Sequence, residues 1–208
     1  MFAPRAGRPL GAVAVILVVI AALLVAGVLP HPLVTVVAMS VGTAVWAFLA
    51  VFFRDPERTP AEGIVSAADG RVREVAREGE RWRVSVFMNV TDVHVNRLPV
   101  DATVESVGDS GSGYRPAYRP DAAHNVQRSY RLATPVGPVE VVQMTGVVAR
   151  RLVGFVRAGW SGRKGDRFGM IVLGSRVDVL LPASRVAPAV RVGDRVRAGE
   201  TTIAREVT

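Results

Sequence analysis

The hydrophobic positions follow two patterns, and the change between them lies near residue 53. Residues 10–29 and 33–53 are two runs that hold no charged side chain. At about 1.5 Å per residue, a helix of either length crosses a hydrocarbon core of about 30 Å. Only the tripeptide Pro-His-Pro separates the runs. This pattern predicts an N-terminal transmembrane helical hairpin, residues 1–53, that anchors the chain to a membrane.

Arginines flank both ends of this hairpin. Arg5 and Arg8 precede the first run and Arg54 and Arg58 follow the second, whereas the connecting segment holds no Lys or Arg. By the positive-inside rule both ends face the cytoplasm. We therefore expect a cell-membrane protein whose remaining residues lie on the cytoplasmic face. Two alternatives stay open: a cleavable signal peptide in the first run, or a hairpin that lies in the membrane interface without crossing it.

Beyond the hairpin, residues 54–208 follow a β pattern. Short segments of alternating or β-branched apolar residues recur between turn signals. They are residues 63–66, 71–75, 82–87, 136–144, 168–173 and 177–181. Residues 190–201 resemble the terminal hairpin of lipoyl- or biotinyl-like barrels. We expect one mainly β domain, a compact barrel-like sandwich with such hairpins and a short helix near residues 147–151. Residues 109–125, rich in Gly, Ser, Pro and Arg, are expected to form a long loop, either a lid or a disordered surface.

Composition narrows the possible chemistry. The chain has no cysteine, which excludes disulfides and thiolate metal sites. Its net charge is +8, and Arg5 and Arg8 are the only charged residues before Arg54, so residues 54–208 carry +6. A basic surface of this kind favours an anionic lipid leaflet. No aromatic-basic interleaving or nucleic-acid-binding module is present, so nucleic acid is not an expected partner.

The dipeptide Gly174-Ser175 lies between the apolar runs 168–173 and 177–181. One interpretation is a type II′ turn that joins the two runs as a β-hairpin. The other is chemical: a serine hydroxyl can attack the carbonyl of the preceding residue and convert the peptide bond to an ester, and glycine leaves that carbonyl unshielded. Elimination and hydrolysis would then leave a pyruvoyl group on a fragment that begins at residue 175.

Five ordered blocks resemble the phosphatidylserine decarboxylases of the short prokaryotic type. The blocks are FFRDPER at 52–58, ADGRV at 68–72, DVHVNRLP at 92–99, QMTGVVARR at 143–151 and RFGMIVLGSRVD at 167–178, the last followed by Leu181 and Pro182. Together they cover roughly residues 50 to 200. The resemblance implies a proenzyme that cleaves itself between Gly174 and Ser175 into a β chain, 1–174, and an α chain, 175–208, which stay together as a heterodimer and can form a larger homo-oligomer.

Three residues carry the catalytic roles that the resemblance implies. Ser175 is the processed nucleophile, and His94 is its base. Asp69 occupies the position of the acid that orients the imidazole, as in hydrolase triads. An extended chain over residues 92–97 would place His94 and Asn96 on one face, with an open side toward the site. The alternative for Asp69 is an ordinary turn with Gly70, and the two roles are compatible.

The other two histidines are less suited, because His31 lies in the predicted membrane loop and His124 in the irregular segment. One departure from the family pattern concerns substrate binding. Many members carry a second histidine three residues after the first, and here that position is Arg97. Processing and decarboxylation therefore both fall on His94. Arg97, together with Asn96, is a candidate for binding the lipid phosphate or carboxylate.

The implied function is decarboxylation of phosphatidylserine to phosphatidylethanolamine. The ketone of the pyruvoyl group would condense with the serine amine of the lipid, and the resulting Schiff base would accept the electrons left by departing carbon dioxide. We expect no metal, and no pyridoxal phosphate, because Lys164 is the only lysine and lies in a predicted turn. Two alternatives remain: an archaeal ether-lipid substrate, archaetidylserine, or a membrane-tethered barrel that acts as a non-catalytic adaptor.

Overall fold

In a computed structural model of the chain, the described residues are 1–4, 6–26, 32–116, 124–146, 151–172 and 175–207. They fall into two compact units, Met1–Pro56 and Glu57–Thr208. The first unit contains two helices, α1 (Gly7–Val25) and α2 (Pro32–Phe52). By length and composition alone, both are apolar enough to cross a membrane. Their large side chains are mostly exposed, as expected for helices that face lipid.

The two ends of the helical unit are joined by backbone hydrogen bonds. Ala3 N donates to Phe53 O at 2.8 Å, and Asp55 N donates to Met1 O at 2.9 Å. The helices also contact each other closely, because a Cβ at Gly42 would meet the side chain of Leu17. The chain therefore enters and leaves this hairpin at the same end, which agrees with the flanking arginines but does not set their side of the membrane.

Strands dominate the second unit. In the described residues they are, in chain order, β1 (Ile64–Val65), β2 (Gly70–Glu78), β3 (Arg81–Met88), β4 (Val95–Arg97), β5 (Ala102–Ser110), β6 (Gln127–Ala133), β7 (Val139–Thr145), β8 (Arg151–Gly154), β9 (Ser161–Gly162), β10 (Arg167–Val172), β11 (Ser175–Pro182), β12 (Val186–Pro188), β13 (Arg195–Val196) and β14 (Thr202–Glu206).

These strands form one large and two small antiparallel sheets among the described residues. The large sheet has the order β13-β2-β3-β11-β7-β6-β5-β9, and the small sheets have the orders β4-β10-β8 and β1-β14-β12. Val72, Val86 and Val179 lie on the buried face of the large sheet. Its outer face carries ion pairs, including Arg81 with Glu140 at 2.9 Å. One buried and one solvated face is the usual arrangement for antiparallel strands.

The prediction of a mainly β domain after an apolar helical hairpin is confirmed. The sheets do not close into a barrel, although their arrangement is compatible with a sandwich. Closure requires the edge strands of a sheet to pair with each other. The large sheet instead ends in the two-residue strands β13 and β9, whose described partners are β2 and β5 alone.

Three local expectations have different outcomes. Residues 147–150 of the predicted short helix lie outside the described residues, and Arg151 begins β8. The predicted long loop starts later than expected, because β5 continues to Ser110. The glycine turns of the C-terminal segment are present: Gly193 and Gly199 have φ angles of 98° and 78°, which favour glycine.

Candidate active site

Ser175 is the first residue of β11, in the middle of the large sheet. Its main chain lies in register between Met88 of β3 and Thr145 of β7. Gly174, the other residue of the predicted cleavage site, lies outside the described residues. Thr145 is held in turn by Asn125, whose Nδ2 donates to Thr145 O at 2.7 Å. The position of Ser175 in the fold is therefore fixed by strand pairing on both sides.

The strands on either side of Gly174-Ser175 do not form a hairpin. β10 pairs with β4 and β8, whereas β11 pairs with β3 and β7 in a different sheet. The type II′ hairpin interpretation of this dipeptide is therefore wrong. Ser175 instead begins a strand that belongs to a different sheet from β10.

His94 is hydrogen-bonded to β10, the strand that precedes Ser175 in the chain. Ile171 N donates to His94 O at 3.2 Å, and Met170 is in register with Val95. β10 ends at Val172, three residues before Ser175. His94 is thus held against the strand that leads into the predicted cleavage site.

A second set of contacts joins the His94 segment to the register neighbours of Ser175. Asn96 Nδ2 donates to Met88 Sδ at 3.7 Å. Asn89 N donates to Asp92 Oδ2 at 2.8 Å, and Asp92 N donates to Asn89 O at 2.9 Å. Residues on both sides of His94 are therefore tied to Met88, the last residue of β3, and to Asn89, which follows it.

The imidazole of His94 is oriented by a main-chain oxygen. Its Nδ1 lies 2.8 Å from Asp92 O. Because a carbonyl oxygen only accepts, Nδ1 must carry the hydrogen, and the neutral ring then has its basic lone pair on Nε2. This is the tautomer that a general base requires. The predicted open side of the ring is wrong, because His94 is 0% exposed and both neighbouring valines are buried too.

Asp69 lies in the interior, immediately before β2. Its Oδ1 accepts from Ala198 N at 2.8 Å, and its Oδ2 pairs with Arg58 at 2.9 Å. Burial raises the pKa of this carboxyl, the Ala198 N–H and the Arg58 charge oppose that rise, and the nearby Asp92 adds to it. The predicted partner of Asp69 was His94, but the partners described for Asp69 are Ala198 and Arg58. The Nδ1 atom of His94 is oriented by Asp92 O instead. The relay role of Asp69 stays a prediction.

Asp69 and Gly70 do not form the turn of a β-hairpin, because the strands before and after them, β1 and β2, pair with different strands. Gly70 is required there for another reason. Its φ is 145°, and a Cβ at this position would collide with Phe87 O. The close approach of β2 to β3 beside Asp69 therefore depends on glycine.

The two predicted substrate-binding residues are both buried. The side-chain amide of Asn96 contacts Gln143 and Met88. Arg97 is 4% exposed and donates from one terminal nitrogen to Gly165 O at 3.0 Å. A Cβ at Gly199 would lie 3.2 Å from Arg97 Cδ, so this side chain packs tightly against the C-terminal segment. Substrate binding by either residue stays a prediction.

The family model for phosphatidylserine decarboxylase matches residues 45–204. The chain belongs to the phosphatidylserine decarboxylase family. A putative archaetidylserine decarboxylase proenzyme of Halobacterium salinarum is 46% identical over 144 residues, which cover 68% of this chain and 71% of the relative.

Two phosphatidylserine decarboxylase proenzymes are similarly close. The one from Thermobifida fusca is 45% identical over 151 residues, covering 72% of this chain and 67% of the relative. The one from Streptomyces avermitilis is 42% identical over 143 residues, covering 67% of this chain and 66% of the relative. The matched part of the chain therefore spans about two thirds of the length of these decarboxylase proenzymes.

One contact of a candidate site residue was missed by sequence reasoning: the buried side chain of Gln143 binds Asn96. Tyr130 OH donates to Gln143 Oε1 at 3.2 Å, and Gln143 Nε2 donates to Asn96 Oδ1 at 2.7 Å. A Cβ at Gly169 would lie 2.8 Å from Gln143 Nε2, so glycine makes room for this contact. The available signal was a glutamine inside the apolar run of β7, because a buried amide must find partners.

The described residues contain no group of three or more His, Cys, Asp or Glu side chains placed to hold a metal ion. Lys164 lies in the turn before β10, where its Nζ donates to Gly63 O at 3.1 Å. His124 is exposed at its position before β6. Among the described residues, the polar side chains held close to β10, the strand that precedes Ser175, include His94 and the Asn96–Gln143 amide pair.

Proposed function

We propose that this chain is a proenzyme that cleaves itself between Gly174 and Ser175 and then decarboxylates phosphatidylserine to phosphatidylethanolamine. One observation carries the proposal. Ser175 begins β11 at the junction of two sheets, and His94, the base candidate, is bonded to the strand that precedes this junction. Membership of the decarboxylase family and the names of its relatives support the same function.

In the processing step, His94 Nε2 accepts the hydroxyl proton of Ser175 as the oxygen attacks the Gly174 carbonyl. The C–N bond breaks, the amine takes up the proton, and an ester links the two segments. Loss of the Ser175 α-proton then expels the Gly174 carboxylate and leaves a dehydroalanine. One water molecule hydrolyses its enamine or imine tautomer, ammonia departs, and the new fragment begins with a pyruvoyl group.

The residues present fit such a group. Strand pairing fixes the main chain of residue 175 between β3 and β7. The hydrogen bond to Asp92 O sets the His94 tautomer so that Nε2 can take and return a proton. When present, a pyruvoyl group supplies an electron sink for the departing carbon dioxide. His94 would then return a proton to the product carbon.

The two fragments would stay together without a peptide bond. The 34-residue fragment from Ser175 to Thr208 contains β11 to β14. β11 pairs with β3 and β7, β13 pairs with β2, and β14 pairs with β1. All four of these partner strands belong to the larger fragment, so the heterodimer would share its sheets and its core.

The apolar hairpin would place the enzyme at its substrate. Phosphatidylserine resides in membranes, and the positive charge of residues 54–208 favours an anionic leaflet. We place the catalytic unit on the cytoplasmic face, following the arginines that flank the hairpin. Archaetidylserine is the second candidate substrate, because the relative from Halobacterium salinarum carries that name at 46% identity.

The test uses Ser175→Ala and the matched control Ser112→Ala, which alters the serine of another Gly-Ser dipeptide, at an exposed position. Denaturing electrophoresis and intact mass should reveal two fragments for the wild type and for Ser112→Ala. Ser175→Ala should remain one chain with no decarboxylase activity. Normal cleavage of Ser175→Ala would refute the assignment.

Two further results would separate the alternatives. Assays with phosphatidylserine and archaetidylserine in the same neutral detergent would identify the preferred lipid by its kcat/KM. A wild-type chain that remains intact and releases no carbon dioxide from either lipid would favour the adaptor interpretation.

A further inference from the structure

A small polar cavity of about 300 Å³ opens at the end of the large sheet, where β2, β3 and β13 meet. Three of the side chains that line it are arginines, Arg71 and Arg73 of β2 and Arg195 of β13. Asp92 is the single carboxylate in its wall. The volume is at the lower limit for ligand pockets, so it suits a compact polar group rather than two lipid tails.

This cavity lies beside the main-chain position of Ser175. Its lining includes Phe87 and Asn89, which flank Met88, the register partner of Ser175 on β3. Neighbouring strands lie about 4.8 Å apart, so one strand spacing separates this wall from residue 175. Asp92, in the same wall, also orients His94 through its main-chain oxygen. A ligand on Arg73 of β2 would therefore lie about two strand spacings from the main chain of residue 175 on β11, a span of about 10 Å.

The contacts of the arginines leave the cavity positively charged. Arg195 pairs with Asp92 at 3.3 Å, and Arg71 donates to the main-chain oxygen of Gly193 at 3.0 Å. Arg73 stacks over the Phe87 ring at 5.4 Å from its centroid. Stacking leaves the edge of a guanidinium available for an anion. Three guanidinium groups face one carboxylate, and this excess matches an anionic ligand.

We propose that this cavity binds the phosphodiester of the lipid headgroup, with Arg73 as its principal ligand. This inference rests on the proposed function and adds the site that selects the substrate. The reacting carboxylate is the other anion of the headgroup, but an arginine on it would stabilise the ground state, since its charge is lost with carbon dioxide. The phosphate keeps its charge throughout the reaction. Binding the phosphate therefore holds the substrate without raising the barrier.

This assignment has a kinetic signature. A contact that is equally strong in the ground state and the transition state affects KM and leaves kcat unchanged. We expect Arg73→Gln to raise KM for phosphatidylserine by roughly tenfold, the effect of losing one charge-assisted hydrogen bond. Arg73→Lys should recover part of the loss, because it restores the charge without the planar fork. Arg77→Gln is the matched control, an exposed arginine on the same strand that does not line the cavity.

The assay measures carbon dioxide release from phosphatidylserine in micelles of neutral detergent, with and without added phosphatidylglycerol. A selective KM increase for Arg73→Gln that persists in both micelles supports the headgroup site. Equal increases for Arg73→Gln and Arg77→Gln, or an increase that added phosphatidylglycerol abolishes, would mean that the arginines only attract an anionic surface. An unchanged KM, or a loss confined to kcat, would also overturn the proposal.

A second readout does not require activity. Phenylglyoxal modifies arginines, and peptide mass mapping measures its extent at Arg73 and Arg77 separately. Glycerophosphoserine should protect Arg73 but not Arg77 in the full-length chain, including the Ser175→Ala variant. Protection by inorganic phosphate at a similar concentration would show that the phosphate group alone is recognised, which still supports the site. If neither glycerophosphoserine nor inorganic phosphate protects Arg73, the proposed phosphate site is refuted.

The two proposals can fail separately. Intact mass reports self-cleavage of each variant independently of substrate binding. A wild-type chain that remains uncleaved and inactive, but whose Arg73 is protected by glycerophosphoserine, would refute the proposed function and leave the cavity assignment standing. A cleaved, active enzyme whose KM is unchanged by Arg73→Gln and whose Arg73 is not protected would refute the cavity assignment and leave the proposed function standing.

Discussion

Replacing His94 by asparagine tests the base while keeping the contact that orients it. Asparagine carries its amide nitrogen on the same carbon that bears Nδ1 in histidine. The variant His94→Asn can therefore still donate to Asp92 O, which lies 2.8 Å from Nδ1 in the wild type. It offers no group in the place of Nε2 and no base of comparable strength.

The two expected effects differ in size. Loss of a positioned general base slows a reaction by about 10² to 10⁴-fold. Because His94 is fully buried, the smaller side chain leaves unfilled space, and we expect a stability loss of about 1 to 3 kcal/mol. The retained hydrogen bond, worth about 1 kcal/mol, limits that loss. Self-cleavage should therefore become much slower in a chain that still folds.

The assay follows cell-free synthesis of the chain in the presence of lipid nanodiscs. Samples taken over time are separated by denaturing electrophoresis, and the fragment that begins at residue 175 is identified by intact mass. The matched control is His124→Asn, the same substitution at an exposed histidine, and it should cleave like the wild type. Near-UV circular dichroism and protease resistance establish that His94→Asn is folded. If the folded variant is cleaved at the wild-type rate, His94 is not the base.

Three further predictions concern buried polar groups. Gln143→Leu leaves Tyr130 OH and Asn96 Oδ1 without their present partner, so urea unfolding should show a loss of about 2 to 4 kcal/mol, and an unchanged midpoint would argue against the network. Burial raises the pKa of Tyr130 to about 12, so its phenolate absorbance, found by difference from Tyr130→Phe, should appear only near that pH or with unfolding, and not near pH 10 in folded protein. Arg58→Met removes the partner of Asp69 and should cost about 3 kcal/mol near neutral pH. The pKa of Asp69 is raised in the folded protein, so the contribution of its protonated form to stability is present below the unfolded pKa of 3.8 and is lost as pH rises through the folded pKa. At low pH Asp69 is neutral and no longer needs the Arg58 charge. The stability loss caused by Arg58→Met, measured by thermal unfolding, should therefore shrink toward low pH.

Local sequence patterns predicted the helices and strands better than they predicted which strands pair with each other. Two long apolar runs identify α1 and α2, because length and lack of charge are properties of each segment alone. Alternation likewise identifies strands in the second unit. The apolar runs at 168–173 and 177–181 are adjacent in the chain, and this spacing suggested a hairpin. The two strands belong to different sheets, since pairing depends on distant strands that a local pattern does not encode.

The candidate site residues came from residue chemistry and the family blocks, and their roles stay predictions, whereas the contacts around them were not foreseen. The residue type and family block made His94 the candidate base, but alternation along one strand could not reveal that the histidine is buried. The orienting contact comes from a main-chain oxygen of Asp92, and every residue has one, so no residue type signals it. Gln143 contacts Asn96 across 47 positions of sequence. Such a contact depends on how β4, β7 and β10 meet, which only the folded chain determines.

The position of the proposed cleavage explains why the fragments could remain one folded unit. β11 has register partners from Ser175 to Pro182 on β3 and from Ser175 to Leu180 on β7. A break immediately before Ser175 removes none of these pairs. A break inside β11 would separate a central strand into two short pieces and would cost several ladder hydrogen bonds, each worth about 1 kcal/mol. A chain that must generate its own reactive terminus is therefore best cut where one strand of the large sheet begins. At that point the proposed terminus would be held between β3 and β7, three residues after the end of β10, the strand to which His94 is hydrogen-bonded.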